Sequence, residues 1–189
     1  MTYYNGDVND LMWNPNNYGV IPTNGVYSKV TANLARLQRL TEKGQLWLSV
    51  NGQAANNNLD SVQQMSLGGP YAVRAYPALE GSGDQGYVLN IEYRQDLPYE
   101  FKGKIFYDMG GIMINKNNTS PTGVWANPNV YTLKGAGLGI DYAAFNRVNL
   151  KGMVAWRLGS NPAANPFNGM DYDGTLRQPQ FWFLANVDY

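Results

Sequence analysis

The sequence predicts an all-β fold: about seven meandering antiparallel strands with the pattern of a transmembrane β-barrel. Three observations lead to this prediction. Aromatic residues make up 13% of the 189 residues and charged residues only 15%, a composition that suits an apolar lipid face and a polar lumen. Apolar and polar residues alternate along segments of roughly ten residues or more, which matches a tilted membrane crossing. Short turns and long loops alternate between these segments.

The composition also excludes several classes of function. The chain has no cysteine and no histidine, which excludes a disulfide framework, a thiolate metal site and a Ser-His-Asp triad. The formal net charge is zero, and without a basic patch we expect no nucleic-acid partner. No apolar stretch is long enough for a transmembrane helix, and no secretory signal is visible. We expect a protein that is not an enzyme and that uses no cofactor and no metal.

The N-terminal elements are the least regular. Residues 1–24 are rich in Asn, Gly and Pro, which predicts a loop or the remainder of a preceding strand. The predicted strands lie in residues 25–189. Within this range, residues 25–40 predict a strand with a bulge, although the spacing of the leucines leaves a short amphipathic helix as the alternative. Residues 45–53 alternate cleanly and predict a strand.

The strands after a long loop at residues 54–84 show a clear alternation. The first of them carries apolar side chains on one face, while Asn90, Glu92 and Arg94 lie on the other. Aromatic residues end the apolar face on both sides, as interface girdles do. The predicted strands cover residues 87–94, 101–115, 131–144, 150–158 and 181–189. Between them we predict turns at 97–100 and 146–147, and loops at 117–121 and 159–176.

The long loop carries the strongest functional candidate, Arg74. Gly68, Gly69 and Pro70 precede it and predict a tight, preformed backbone. An arginine is always charged and presents five donors in a rigid fork. We therefore expect Arg74 to point at a carboxylate elsewhere in the fold. The alternative is an exposed loop arginine beside Tyr76.

Asp108 is the candidate partner of Arg74. It lies on the strand face opposite Ile105 and Met109, and strands normally disfavour aspartate. If this face lines a barrel lumen, Asp108 points inward, and the inward Gly110 leaves room for a bulky group. A bidentate arginine–carboxylate pair would then hold the loop in place. The alternative is a solvated aspartate in a strand.

Other charged residues are weaker candidates. Glu80 and Asp84 flank glycines, but two carboxylates are too few for a divalent-cation loop. Glu92 and Arg94 are two residues apart on one face, which predicts a charge pair in the lumen.

Two further patterns concern small residues. Gly135, Gly137 and Gly139 fall on one face of a predicted strand and predict a smooth wall against which another segment packs closely. The alternative is simple weakening or curvature of the strand. No base lies near the hydroxyl groups of Ser66, Ser82 and Thr119 in the sequence, so nucleophilic catalysis has no support.

Three collinear segments together resemble the haemolysin secretion/activation proteins, the outer-membrane transporters of two-partner secretion. The first segment is Gly68-Gly69-Pro70-Tyr71-Ala72-Val73-Arg74-Ala75-Tyr76, with Gly81-Ser82-Gly83-Asp84 after it. The second is Phe106-Tyr107-Asp108-Met109-Gly110, and the third is the glycine-rich stretch from Leu133 to Gly139. The resemblance extends from about residue 25 to the C-terminus, and the combination of segments is specific where each alone would be weak.

The resemblance implies that residues 25–189 are the C-terminal portion of an outer-membrane β-barrel. It also implies a long loop that folds back into the barrel lumen, where Arg74 pairs with Asp108. It implies that the loop motif comprises Gly68, Gly69, Pro70, Val73, Tyr76, Gly83 and Asp84, and that the barrel motif comprises Phe106 and Gly110. Ala75 departs from the family, which usually has glycine there, and this departure affects the geometry of the loop tip.

The resemblance also implies a function. It points to a pore-forming transporter of the bacterial outer membrane that secretes, and can activate, a haemolysin- or adhesin-type exoprotein. The expected partners are that exoprotein, the lipid bilayer, and earlier barrel strands and periplasmic domains that lie outside this sequence. Two alternatives remain: a barrel-assembly insertase of the same superfamily, and a soluble β-sandwich that binds through its Tyr- and Asn-rich loops.

Overall fold

The computed structural model describes residues 1–8, 25–117, 128–144, 148–176 and 178–187. Within these ranges the structure is all-β, and the helical content is one 3-10 turn at Ser61–Gln63. None of the described helices is long and apolar enough to cross a membrane. Several predicted features lie outside the described residues: the region 9–24, the turn at 146–147, most of the loop at 117–121 with Thr119, and the last two residues of the final strand.

Eight described strands form one antiparallel sheet. Their bounds are β1 Thr2–Val8, β2 Gly25–Arg39, β3 Gly44–Ala55, β6 Gln85–Asp96, β7 Phe101–Met113, β8 Val130–Ala144, β9 Val148–Arg157 and β10 Gln180–Val187. The order in the sheet is β1-β2-β3-β6-β7-β8-β9-β10, a simple meander. Two short strands, β4 Met65–Ser66 and β5 Ser82–Gly83, pair with each other between β3 and β6. The predicted all-β, antiparallel fold class is confirmed.

The first two strands differ from the prediction in detail. β1 lies within the segment 1–24, and it pairs with β2 from Thr2↔Thr31 to Val8↔Gly25, which adds a strand to the predicted number. β2 pairs with β3 in one unbroken register over residues 29–39, so this ladder contains no bulge. The helical alternative for residues 25–40 is wrong. Backbone hydrogen bonds to a strand on each side stabilise the extended conformation, although the leucines are spaced as in a helix.

The two faces of the sheet differ sharply in exposure. On β7, Ile105 is 56% exposed while Asp108, on the other face, is fully buried. The exposed face carries large apolar side chains on most strands: Val50, Tyr87, Leu138, Ile140, Trp156, Phe181 and Phe183. A β-sandwich would bury such a face against a second sheet, and this face is not covered among the described residues. The sandwich alternative therefore does not describe this fold, whereas an apolar outward face is what a bilayer requires.

The long loop, defined here as residues 56–84, covers the opposite face, which we call the inner face. Leu67, Val73 and Tyr76 of the loop are fully buried and join one core cluster with Phe106 and Leu133 of the sheet. The main core of the described protein thus lies between the long loop and the inner face of β6 to β9.

Glycines on the inner face permit this close approach. A Cβ on Gly135 would lie 2.5 Å from the Cβ of Ala75, and one on Gly110 would lie 2.7 Å from a methyl carbon of Leu67. A Cβ on Gly137 would meet the ring of Phe106 at 2.4 Å. Gly135 and Gly110 thus leave room for the long loop, and Gly137 leaves room for the ring of Phe106 on the neighbouring strand.

Candidate functional site: a buried arginine at the tip of the long loop

Backbone hydrogen bonds fold the tip of the long loop into compact turns. The N–H of Val73 donates to the carbonyl of Leu67 at 2.8 Å, and the N–H of Gly69 donates to the carbonyl of Tyr76 at 3.1 Å. Gly69 has a φ of 123°, a conformation that favours glycine. A Cβ on Gly68 would lie 2.0 Å from a backbone oxygen, so this position admits no side chain. With Pro70 between them and Arg74, these glycines set the direction of the tip.

The structure brings Arg74 and Asp108 together. The Nε of Arg74 donates to Oδ2 of Asp108 at 2.9 Å, and its Nη2 donates to Oδ1 at 2.8 Å. The main-chain N–H of Arg74 adds a third hydrogen bond to Oδ2 at 3.0 Å. The pair is bidentate, and the Asp108 side chain is fully buried. Charge-assisted bonds of this geometry are both strong and directional.

Glu92 is a second carboxylate partner of Arg74. Nη1 of Arg74 lies 2.5 Å from Oε2 of Glu92, and the other oxygen of Glu92 accepts from Nε of Arg94 at 2.6 Å. We call Arg74, Glu92 and Asp108 the tip cluster. The guanidinium of Arg74 also lies 3.4 Å from the centroid of the Phe106 ring, which stacks beneath it. With Arg94 included, two arginines face two carboxylates and the charges sum to zero.

Arg74 is held in its charged form. Burial on its own would lower the pKa of Arg74, but the hydrogen bonds and charges of Asp108 and Glu92 outweigh it and raise the pKa above its ordinary value. The guanidinium therefore cannot serve as a base. What the tip cluster can do is hold the loop against the sheet.

The main chain of the tip is held separately from the Arg74 side chain. Asn90 on β6 donates to the carbonyl oxygen of Ala72 at 2.8 Å and to Oδ1 of Asp108 at 2.7 Å. Trp182 on β10 donates its indole N–H to the carbonyl oxygen of Arg74 at 2.8 Å. Sequence reasoning missed both residues as parts of this site. Asn90 was detectable in principle, because it is the cross-strand partner of Asp108 on the same face.

Asp84 lies at the base of the long loop and accepts hydrogen bonds from residues outside the tip cluster. It is fully buried and accepts from the backbone N–H of Leu59 at 3.1 Å and from Gln64 at 2.9 Å. Its second oxygen accepts from the N–H of Lys116 at 2.8 Å, beyond the end of β7. A Cβ on the preceding Gly83 would lie 2.5 Å from a carbonyl oxygen of β7. Gly83 and Asp84 thus join the loop base to the chain that follows β7.

Glu80 and Asp84 have separate partners in the structure. Glu80 accepts from Asn161 and from the backbone N–H of Tyr172, at 2.9 and 2.8 Å. Within the described part of the chain, no group of three or more acidic side chains is placed to hold a metal ion.

Comparisons with known proteins agree on one family. A family model described as haemolysin secretion/activation protein ShlB/FhaC/HecB matches residues 9–142. The heme/hemopexin transporter protein HuxB of Haemophilus influenzae strain 86-028NP is 32% identical over 107 residues, which cover 54% of this chain and 19% of that protein. HuxB of strain Rd is 30% identical over 140 residues, or 71% of this chain and 22% of that protein. The chain thus spans about a fifth of the length of these curated relatives.

A solved structure shares the fold. CdiB from Acinetobacter baumannii superposes with a TM-score of 0.60 over 88% of this chain and 28% of that chain, at 20% sequence identity. The eight-stranded meander is therefore similar to a part of that larger structure.

Proposed function

The chain belongs to the haemolysin secretion/activation protein family ShlB/FhaC/HecB, and on that premise we propose that it forms part of an outer-membrane β-barrel that secretes an exoprotein by two-partner secretion. One observation carries the proposal beyond family membership. A long loop lies against the inner face and is fastened there by a buried bidentate pair, Arg74 and Asp108. A loop fastened in this position can keep the path of a passing polypeptide in a conducting arrangement.

The exposed face of the sheet supports a membrane location. Leu138 and Ile140 on β8 and Phe181 and Phe183 on β10 are each roughly half exposed or more, and they lie on one face of the sheet on either side of β9. Such an apolar face is stable in lipid and costly in water. We propose the bacterial outer membrane as its location and the lipid bilayer as its partner.

The tip cluster is proposed to hold the loop in the arrangement that supports transport. Removing the charge of Arg74 would leave the buried Asp108 without a guanidinium partner and Glu92 with Arg94 alone, a costly arrangement. The loop would then leave its position while the strand pairing of the sheet persists. The proposed role includes no catalysed step.

The cargo is proposed to be a haemolysin- or adhesin-type exoprotein. The relatives named HuxB are described as heme/hemopexin transporter proteins. That description makes an exoprotein related to heme or hemopexin one specific candidate.

The test is secretion of a co-expressed haemolysin- or adhesin-type exoprotein by cells that produce the whole transporter containing this chain. Arg74→Gln should abolish secretion and leave insertion largely intact, with insertion read from heat-modifiable mobility on a gel. Arg36→Gln is the matched control, because Arg36 is exposed and bonds to Gln38 on its own strand. Normal secretion by Arg74→Gln would contradict the role of the tip cluster. Absence of secretion by the unaltered protein, although inserted, would contradict the proposed function.

A further inference from the structure

A second buried charge cluster lies beside the loop tip, and the proposed function does not use it. Arg157, at the end of β9, forms an ion pair with Asp171, and their side chains are 7% and 1% exposed. Asp171 belongs to the second loop, which follows β9 and is described over residues 158–176. The cluster thus joins the end of a strand to a loop that lies far from the Arg74 motif in sequence.

Arg157 also contacts the tip of the long loop. Its Nε donates to the carbonyl oxygen of Ala75 at 3.3 Å. Its guanidinium carbon lies 4.6 Å from the centroid of the Tyr76 ring, a cation–π distance. One side chain therefore binds both the residues that follow Arg74 and an aspartate of the second loop.

Asn161 and Glu80 make a parallel connection between the two loops. The side-chain amide of Asn161 donates to Oε1 of Glu80 at 2.9 Å and to Oδ1 of Asp171 at 3.0 Å. The backbone N–H of Tyr172 donates to the other oxygen of Glu80 at 2.8 Å. Glu80 is 2% exposed, so these hydrogen bonds replace those that water would make. Separation of the two loops would take from Glu80 both of these donors.

We propose that Arg157 is a second positioning residue of the transporter. Arg157 couples the long loop to the second loop, so that the two loops leave the inner face together. The role of this coupling in secretion rests on the proposed function, whereas the contacts between the two loops do not depend on it. The tip cluster fastens the long loop to β6 and β7, whereas Arg157 and Asn161 fasten the same loop to β9 and the second loop. Movement of the long loop away from the tip cluster also breaks its contacts with Arg157 and Asn161. The free energy of moving one loop off the inner face therefore depends on the position of the other loop.

The test uses the absence of native cysteine, because one introduced thiol can then report one position. Val73→Cys reports the loop tip, since Val73 is fully buried, and Ala163→Cys reports the second loop, since Ala163 packs against the core. Val62→Cys, 85% exposed, normalises the labelling. The rate of reaction with a membrane-impermeant maleimide is measured on the protein in its own outer membrane, without cargo.

Coupling predicts effects across the two loops. Arg157→Gln should raise the labelling rate of Cys at position 73 by about tenfold, the size expected for a lost hydrogen bond to a charged group. Arg74→Gln should raise labelling at position 163 by a comparable factor. Arg157→Lys, which keeps the charge, should restore part of the protection, while Arg36→Gln should leave both rates unchanged.

The outcomes are distinct. No change at position 163 in Arg74→Gln, which alters contacts of the long loop alone, would overturn the coupling, and so would no change at either reporter in Arg157→Gln. If Arg157→Gln does not give a folded barrel by heat-modifiable mobility, Asn161→Ala decides in its place, and its result at position 73 is read in the same way. Labelling needs no exoprotein, so the coupling can fail while secretion holds, and secretion can fail while the coupling holds.

Discussion

Trp182 on the last strand donates its indole N–H to the carbonyl oxygen of Arg74 at 2.8 Å. The two residues are 108 positions apart in the chain, so the last described strand contacts the loop tip directly. The contact involves the main chain of Arg74 and not its guanidinium. The tip is therefore held by its backbone as well as by its charge.

This contact predicts a measurable but limited role for Trp182. Trp182→Phe keeps an aromatic ring against the core and removes the N–H, which should destabilise the folded protein by about 1 kcal/mol. Urea unfolding in detergent, followed by fluorescence, gives the free energy of unfolding. Trp156→Phe is the control, because Trp156 lies on the outer face and is 45% exposed. Equal losses from the two variants would contradict a specific contact between Trp182 and the loop.

The two carboxylates of the tip cluster are expected to contribute unequally. Asp108 accepts three hydrogen bonds from Arg74, two from the side chain and one from the main chain, whereas Glu92 accepts one. Asp108→Asn should cost about 3 kcal/mol or more, as expected when a buried pair is broken. Glu92→Gln should cost about 1.5–3 kcal/mol, since Arg74 retains Asp108.

The same unfolding measurement in detergent decides between these values. Asp96→Asn serves as the control, because the ion pair of Asp96 with Lys102 is more than a third exposed on both sides and is expected to contribute little. A larger loss for Glu92→Gln than for Asp108→Asn would show that the bidentate pair does not dominate the site.

The fold was largely accessible to sequence reasoning because strand periodicity is local. The alternation around Asn90 and Asp108 needs only neighbouring residues to be seen, and both belong to the strands that alternation predicts. The sequence pattern alone did not distinguish β1 from a loop, because its seven residues include Asn5 and Gly6, residue types that disfavour strands. Pairing with β2 supplies the hydrogen bonds that make this segment a strand.

The site was accessible only in part. Arg74 and Asp108 are notable by residue type and by resemblance, and the structure places them in contact. Trp182 and Arg157 gave no such signal, because an aromatic residue or an arginine in a strand is common. Their role depends on which strands lie under the loop tip, and that depends on the register of the whole sheet. Long-range register is a property of the folded chain and is not encoded in any one segment.

The close approach of the long loop to β8 predicts a strong steric effect. A Cβ on Gly135 would lie 2.5 Å from the Cβ of Ala75, so Gly135→Ala should displace the tip and cost roughly 1–3 kcal/mol. Gly152→Ala is the control, because its nearest neighbour would be a methyl group of Ile140 at 3.8 Å. Both variants are compared by urea unfolding in detergent.

A second substitution tests whether the clash with Ala75 causes the loss of stability. Ala75→Gly removes the methyl group that the new Cβ would meet, so the double variant Gly135→Ala/Ala75→Gly should recover much of the lost stability. Purely additive losses in the double variant would show that the two positions do not compete for the same space.

The outer face predicts a requirement for apolar side chains that a protein in water would not have. Leu138 is 51% exposed and lies opposite Ile105 of the neighbouring strand, within the apolar face. In water, Leu138→Arg would cost little, because an exposed arginine is well solvated. In lipid, an arginine on a strand near the middle of the bilayer costs about 2–4 kcal/mol. Leu138→Arg should therefore reduce the amount of heat-modifiable protein in the outer-membrane fraction. Leu176→Arg, at a 60% exposed position of the second loop, should insert normally, and equal insertion of the two variants would contradict a lipid-facing role for this surface.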